Sequence, residues 1–96
     1  MKEIKIESII DIINNLNIID IRDKYSYSMG CIPNSKNVPM NYLLMNPEYY
    51  LDKNKTYYIY CNRGFNSKKV CEILTGFGYN TINIIGGYEE YKLIDK

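Results

Sequence analysis

Residues 56 to 68 read TYYIYCNRGFNSK, and this stretch carries the features that decide the fold and the chemistry of the chain. Its first five residues, Thr56–Tyr60, are rich in aromatic and β-branched side chains and predict a strand. A helix is predicted over Ser67–Phe77, with Gly78 after its last turn. The six residues Cys61–Asn66 must connect the two elements, and Gly64 allows a positive φ in that connection.

The predicted connection is suited to activating the thiol of Cys61. A tight loop that leads into a helix N-terminus turns several backbone N–H groups inward, and the helix dipole adds positive potential. These groups would stabilise a thiolate at Cys61, and Arg63 and Lys68 would add positive charge. No general base is then required. The alternative interpretation, an unreactive thiol at the end of a buried strand, stays open at this point.

The rest of the chain alternates between predicted strands and helices. Ser8 has the character of an N-cap, and isoleucines at helical spacing predict a helix that ends near Leu16. The other predicted strands are Lys2–Ile6, Ile18–Ile21, Val38 and Thr81–Ile85, and the other predicted helices lie within 22–36, at Asn41–Met45 and at Tyr88–Leu93. This alternation predicts an α/β fold with a mainly parallel sheet, in which ligands bind at the carboxyl ends of the strands.

Length and charge limit the classes of function. The chain has 96 residues, which suits one domain spanning 1–96. Its formal charge is +1 with both signs interspersed, which argues against a surface for nucleic acid or anionic membrane. No run approaches the roughly 18 apolar residues of a membrane span. The first ten residues carry charges where a signal peptide needs an apolar run.

The residue types that are present limit the chemistry further. The chain has no histidine, which excludes Ser-His-Asp and Cys-His mechanisms and metal sites built on imidazole. Its three cysteines, Cys31, Cys61 and Cys71, form neither a zinc pattern nor a disulfide framework. These residues give no metal-binding pattern and indicate a reduced, cytoplasmic setting, and nothing in the sequence implies a metal or an organic cofactor.

Several segments resemble the motifs of the rhodanese family of sulfurtransferases. The spacing Cys61-x-x-Gly64-x-x-Ser67 between a strand and a helix resembles the family's active loop. The other segments, in the family's order, are Asp20-Ile21-Arg22, Tyr27 with Gly30-Cys31-Ile32-Pro33, Asn37-Val38-Pro39, Gly78-Tyr79 and Gly86-Gly87. The resemblance runs from Ile18 to Tyr91, and the agreement in order makes it much stronger than any single motif.

The resemblance implies a three-layer fold, with a five-stranded sheet between helices on both faces. It implies that Cys61 is the nucleophile and holds a sulfane sulfur as a persulfide. A thiosulfate-like donor would supply that sulfur, and a thiol, cyanide or a protein partner would accept it. The remaining loop residues, expected to bind the substrate, are Asn62, Arg63, Gly64, Phe65, Asn66 and Ser67.

Three positions depart from the family pattern. Asn66 stands where the loop often carries Arg, which bears on thiosulfate affinity more than on persulfide formation, and Arg63 is a candidate to supply the missing charge. Cys31 replaces a His, and Ser26 replaces the Glu that usually partners the arginine at position 22. We interpret Arg22 and Asp20, like Cys31 and the helical Cys71, as structural.

Other functions remain open beside a thiosulfate sulfurtransferase. A phosphatase on this fold needs Arg six residues after the cysteine, where this chain has Ser67, and nothing specifically favours arsenate reduction. A persulfide carrier in a protein sulfur relay would use the same residues as the thiosulfate enzyme. A catalytically silent binding module usually lacks the loop cysteine. Phe65 is expected at the rim, as an apolar lip or a contact for a protein partner.

Overall fold

A five-stranded sheet organises the computed structural model, which describes residues 1 to 94. The strands are β1 (Lys2–Lys5), β2 (Asn17–Asp20), β3 (Ser35–Asn37), β4 (Thr56–Tyr60) and β5 (Asn80–Ile85). Their order across the sheet is β1-β5-β4-β2-β3, and every neighbouring pair is parallel. The predicted parallel sheet is therefore confirmed.

The helical elements connect the strands. They are α1 (Lys24–Met29), α2 (Met40–Met45), α3 (Pro47–Tyr50), α4 (Phe65–Gly76) and α5 (Gly87–Leu93), together with two 3₁₀ segments at Ile6–Ser8 and Ile10–Asn15. No helix among residues 1 to 94 combines the length and apolar character that a membrane crossing requires.

The sheet separates two apolar clusters, which confirms the three-layer architecture. Successive side chains of a strand point to opposite faces of the sheet. Ile19 of β2 therefore packs in the first cluster and Ile18 in the second. The first cluster includes Val70 and Leu74 of α4 and Leu43 of α2. The second includes Ile6 and Ile13 of the 3₁₀ segments and Tyr91 of α5, so each face of the sheet is covered.

The N-terminal helix predicted after Ser8 is wrong. The chain forms two 3₁₀ segments there, separated by Ile9 with φ −123° and ψ −1°, and neither segment has a side-chain cap. Ile9 and Ile13 are buried, so their burial does not need a regular α-helix. Consecutive isoleucines lose χ1 freedom in a helix, and 3₁₀ geometry suits short connectors.

The strand predicted at Val38 is displaced by one residue, because the structure has β3 at Ser35–Asn37. The N–H of Val38 still donates to the carbonyl of Asp20 at 2.9 Å, so the contact with β2 continues beyond the strand. Pro39 follows and is the N-cap of α2.

The Tyr60 side chain links the end of β4 to Ile32 and to Ser35, the first residue of β3. This side chain is fully buried, and its hydroxyl accepts a hydrogen bond from the Ile32 N–H at 3.0 Å and contacts Ser35 Oγ at 3.0 Å. Burial, with Asp20 close by, raises the pKa of Tyr60 far above its ordinary value, so the hydroxyl keeps its proton.

We expect Tyr60→Phe to lower the free energy of unfolding by about 1–3 kcal/mol, because the Ile32 N–H would be buried without a partner. Urea denaturation measures this loss. Tyr58→Phe on the same strand is the control, since Tyr58 is only half-buried. Equal losses in the two variants would contradict the assigned role of the Tyr60 hydroxyl.

Candidate active site

Cys61 lies at the carboxyl end of β4, which is the central strand of the sheet. The connection to α4 is shorter than predicted, because α4 begins at Phe65 and not at Ser67. Gly64 is the N-cap residue of α4 with φ +95°, a left-handed conformation that favours glycine. Phe65 and Asn66, which were predicted to be loop residues, therefore belong to the first turn of the helix.

Two backbone amides face the sulfur of Cys61. The N–H of Gly64 donates to Sγ at 3.1 Å and the N–H of Ser67 donates at 3.3 Å. Cys61 itself is only 6% exposed. Hydrogen bonds of this kind stabilise negative charge on sulfur more than they stabilise a neutral thiol, and the N-terminus of α4 acts in the same direction.

A chain of hydrogen bonds leads from Cys61 through two buried polar side chains. Ser67 Oγ lies 3.3 Å from Cys61 Sγ and donates to Asn83 Oδ1 at 2.5 Å. Asn83 Nδ2 in turn donates to Glu3 Oε2 at 2.9 Å. Ser67 was predicted at the site, but Asn83 was not. The feature of the sequence that could have indicated Asn83 is its position as a single amide between the apolar residues Ile82 and Ile84.

Backbone hydrogen bonds connect the start of α5 to the loop that carries Cys61. The N–H of Tyr88 donates to the Cys61 carbonyl and that of Glu89 to the Asn62 carbonyl, both at 2.9 Å. Gly87 has φ +57°, and a Cβ there would overlap the Cys61 carbonyl oxygen and lie 2.9 Å from the Asn62 carbonyl carbon. Only glycine permits this approach.

The predicted substrate-binding residues divide into two groups. Gly64 and Ser67 are buried beneath the sulfur, whereas Asn62, Arg63, Phe65 and Asn66 are exposed around it. The exposed four and Cys61 line a shallow cavity of about 230 Å³. Phe65 is 72% exposed, which places it at the rim as expected.

A second cavity, of about 380 Å³, opens on Cys61 from the side of α1 and α2. Besides Cys61, Asn62 and Asn66, it is lined by Ile21, Arg22, Asp23, Ser26 and Met40. Asp23 accepts hydrogen bonds from the N–H and hydroxyl of Ser26, and these bonds lower the pKa of its carboxyl group. A carboxylate therefore lies at the edge of this cavity.

Arg22 is bound within the fold and does not offer a free charge to the site. Its guanidinium makes a two-pronged ion pair with Asp20 and donates to the Gly30 carbonyl at 2.6 Å. It also lies over the ring of Tyr88, 4.3 Å from the ring centre. Asp20 thus takes the place of the partner that Ser26 cannot provide.

The other two cysteines differ from Cys61 in their surroundings. Cys71 is fully buried in the first apolar cluster, and burial raises the pKa of its thiol to about 11. Cys31 is half-buried near the hydroxyl of Tyr27. Within residues 1 to 94, no three Cys, Asp or Glu side chains come together in a way that could hold a metal ion.

Comparison with known protein families matches residues 5–93 to the rhodanese-like domain. The chain belongs to the rhodanese-like domain family. This confirms the family indicated by the motifs in the sequence.

Individual relatives of this rhodanese-like domain agree with the family assignment. The protein YtwF of Bacillus subtilis is 35% identical over 72 residues, which are 75% of this chain and 69% of YtwF. Thiosulfate sulfurtransferase GlpE of Coxiella burnetii is 34% identical over 76 residues, which are 78% of this chain and 70% of GlpE. A rhodanese-like domain protein from Staphylococcus aureus has a crystal structure with a TM-score of 0.86 and 32% identity, covering 95% of this chain and 91% of that one.

We expect Gly87→Ala to destabilise this rhodanese-like domain by about 1–3 kcal/mol, because the new methyl group strains the positive φ and presses on the Cys61 loop. Urea denaturation measures stability, and the iodoacetamide alkylation rate of Cys61 shows whether the loop has moved. Gly76→Ala in α4 is the matched control, because a Cβ there meets nothing within 4 Å. A Gly87→Ala protein as stable and as reactive as this control would contradict the close approach.

Proposed function

We propose that this chain is a sulfurtransferase in which Cys61 accepts a sulfane sulfur, holds it as a persulfide and passes it to a thiol or cyanide. The observation that carries the proposal is the position of the sulfur. It faces two backbone N–H groups at the start of a helix, at the carboxyl end of the central strand. The family, and the name of the GlpE relative, support the same activity.

The proposed reaction has two displacement steps. The Cys61 thiolate attacks the outer sulfur of the donor, a new S–S bond forms, and the donor's own bond to that sulfur breaks with its electron pair. With thiosulfate as donor, the leaving group is sulfite. An acceptor thiolate or cyanide then attacks the outer sulfur of the persulfide, and Cys61 leaves as a thiolate. The N–H groups of Gly64 and Ser67 would stabilise the anionic sulfur at both ends of the cycle.

The charges around Cys61 bear on which donor is used. Arg63 lies beside the smaller cavity and would attract the thiosulfate dianion. Asp23 lies at the larger cavity and would repel it, while Arg22 is occupied by Asp20. The larger cavity therefore favours a donor with less negative charge, such as a protein-bound persulfide. On this observation we keep a persulfide carrier in a protein sulfur relay as a second candidate.

Cys61→Ser should abolish sulfur uptake, because a hydroxyl cannot form the persulfide. The measurement is the intact mass after treatment with thiosulfate or with a low-molecular-weight persulfide, before and after a reductant. The parent protein should gain the mass of one sulfur atom and lose it on reduction.

Cys31→Ser is the control for Cys61→Ser and should still take up sulfur. Cys71→Ser should also take up sulfur while losing stability, because it buries a hydroxyl inside an apolar cluster. If the parent gains no sulfur from either donor, the silent binding module replaces the proposal. If Cys61→Ser still gains a reducible sulfur, another thiol carries it.

The two cavities predict opposite effects of removing one charge from each. We expect Arg63→Ala to lower kcat/KM for thiosulfate by about 10-fold, since about 1.4 kcal/mol corresponds to a factor of ten. Asp23→Asn should raise it by about 2- to 5-fold, because Asn still caps α1 but carries no charge. Asn66→Arg, which restores the cation common in the family, should also raise it.

The controls for these charge variants are salt and a second donor. Both effects should shrink at high ionic strength, because exposed charges are screened. They should be smaller with an uncharged persulfide donor. Glu48→Gln, on exposed α3, is the matched charge control and should leave kcat/KM unchanged. Changes that are independent of salt and of donor charge would show that Arg63 and Asp23 do not act electrostatically.

A further inference from the structure

Asn83 of β5 is buried, and both polar atoms of its side-chain amide are hydrogen-bonded within the protein. Its side chain is 1% exposed, its Oδ1 accepts from Ser67, and its Nδ2 donates to Glu3 and, at 3.4 Å, to the Gly64 carbonyl. A buried amide costs free energy unless such bonds are made. In β5, Asn83 stands between two isoleucines, Ile82 and Ile84.

We propose, on the basis of the proposed sulfur transfer, that Asn83 is a positioning residue that turns the Ser67 hydroxyl proton away from Cys61 and thereby opposes negative charge on the free sulfur. The side-chain hydrogen bonds of Asn83 go to Ser67, Glu3 and Gly64 and not to the sulfur. Asn83 would act only through Ser67.

The direction of the hydrogen bonds follows from the acceptors around Asn83. Nδ2 must face Glu3 and Gly64, because the carboxylate and the carbonyl oxygen can only accept. This fixes Oδ1 towards Ser67, and Oδ1 can only accept as well. The single proton of the Ser67 hydroxyl is therefore committed to Asn83, and a lone pair of Oγ is left towards Cys61 Sγ.

This arrangement distinguishes between the states of Cys61. A thiol can donate its proton to the Ser67 lone pair, whereas a thiolate would face that lone pair at 3.3 Å. For Ser67 to donate to a thiolate, it would have to turn from Asn83, which would leave two oxygens 2.5 Å apart without a proton between them. In a persulfide, Sγ is a neutral divalent sulfur and carries no such penalty. Asn83 would thus disfavour the free thiolate relative to both other states.

The experiment measures the pH midpoint of iodoacetamide alkylation of Cys61, which requires no sulfur donor. Asn83→Leu keeps the approximate shape but frees the Ser67 hydroxyl to donate to the sulfur. The midpoint should fall by about half to one pH unit, which is a 3- to 10-fold faster alkylation below the midpoint. Asn83→Asp keeps the acceptor, adds negative charge and should raise the midpoint.

Asn83→Leu leaves unchanged the identity of the charged and titratable groups around Cys61, although Glu3 loses its hydrogen bond from Asn83. These groups are Glu3 from β1, Arg22 and Asp23 from the segment before α1, Arg63 from the loop and Cys71 from α4. Asn80→Leu is the control, because Asn80 lies at the opposite, amino-terminal end of β5 and is exposed. It should leave the midpoint unchanged.

A double-mutant cycle with Ser67→Ala decides whether Asn83 acts through the hydroxyl. In the Ser67→Ala background, Asn83→Leu should no longer shift the midpoint. An equal shift with and without the Ser67 hydroxyl would overturn the proposal, as would shifts in the same direction for Asn83→Leu and Asn83→Asp, since these indicate general damage. If all shifts are as expected but no variant takes up sulfur, the positioning role stands and the proposed function fails.

Discussion

The close backbone approach between the start of α5 and the Cys61 loop is the constraint on which the site depends. Gly87 lets two amides of α5 reach the carbonyls of Cys61 and Asn62. These bonds hold the loop carbonyls, while the N–H groups of Gly64 and Ser67 donate to the sulfur. Gly64 adds a second close approach, because a Cβ there would lie 2.9 Å from the Gly86 nitrogen. Two distant segments of the chain are thus required for one short loop.

The sulfur is surrounded by neutral donors and acceptors rather than by a base. A chain without histidine cannot activate a thiol by proton transfer to imidazole. Here backbone N–H groups favour negative charge on the sulfur, while the Ser67 oxygen, as held by Asn83, would oppose it. The reactivity of Cys61 would then be the difference between two opposing hydrogen-bond effects. Such a balance could be changed by a substitution at Asn83, which is linked to the sulfur only through Ser67, without any substitution at the sulfur itself.

Local patterns in the sequence predicted the parts of the fold that depend on local chemistry. The aromatic and β-branched residues of Thr56–Tyr60 and the Cys61-x-x-Gly64-x-x-Ser67 spacing predicted β4, the loop and α4, although α4 begins two residues earlier than predicted. The helix predicted after Ser8 was wrong because Ile9 and Ile13 are buried without one, in a segment of two 3₁₀ turns. The role of Asn83 was missed because it depends on a contact with Ser67 across 16 residues, which no local spacing reveals.

The arginines illustrate how one residue type is divided between fold and site. Arg22 is 8% exposed, paired with Asp20 and covered by Tyr88, so its charge is neutralised inside the structure. Arg63 is exposed, and it lines the smaller cavity beside Cys61, where a donor from solvent would meet its charge. Because Asp23 lines the other cavity that opens on Cys61, the electrostatic field around Cys61 is uneven and not uniformly positive. A donor that approaches over Arg63 would meet attraction, and one that approaches over Asp23 would meet repulsion in proportion to its own negative charge. The proposed choice between thiosulfate and a less charged persulfide therefore depends on the route by which the donor reaches the same sulfur.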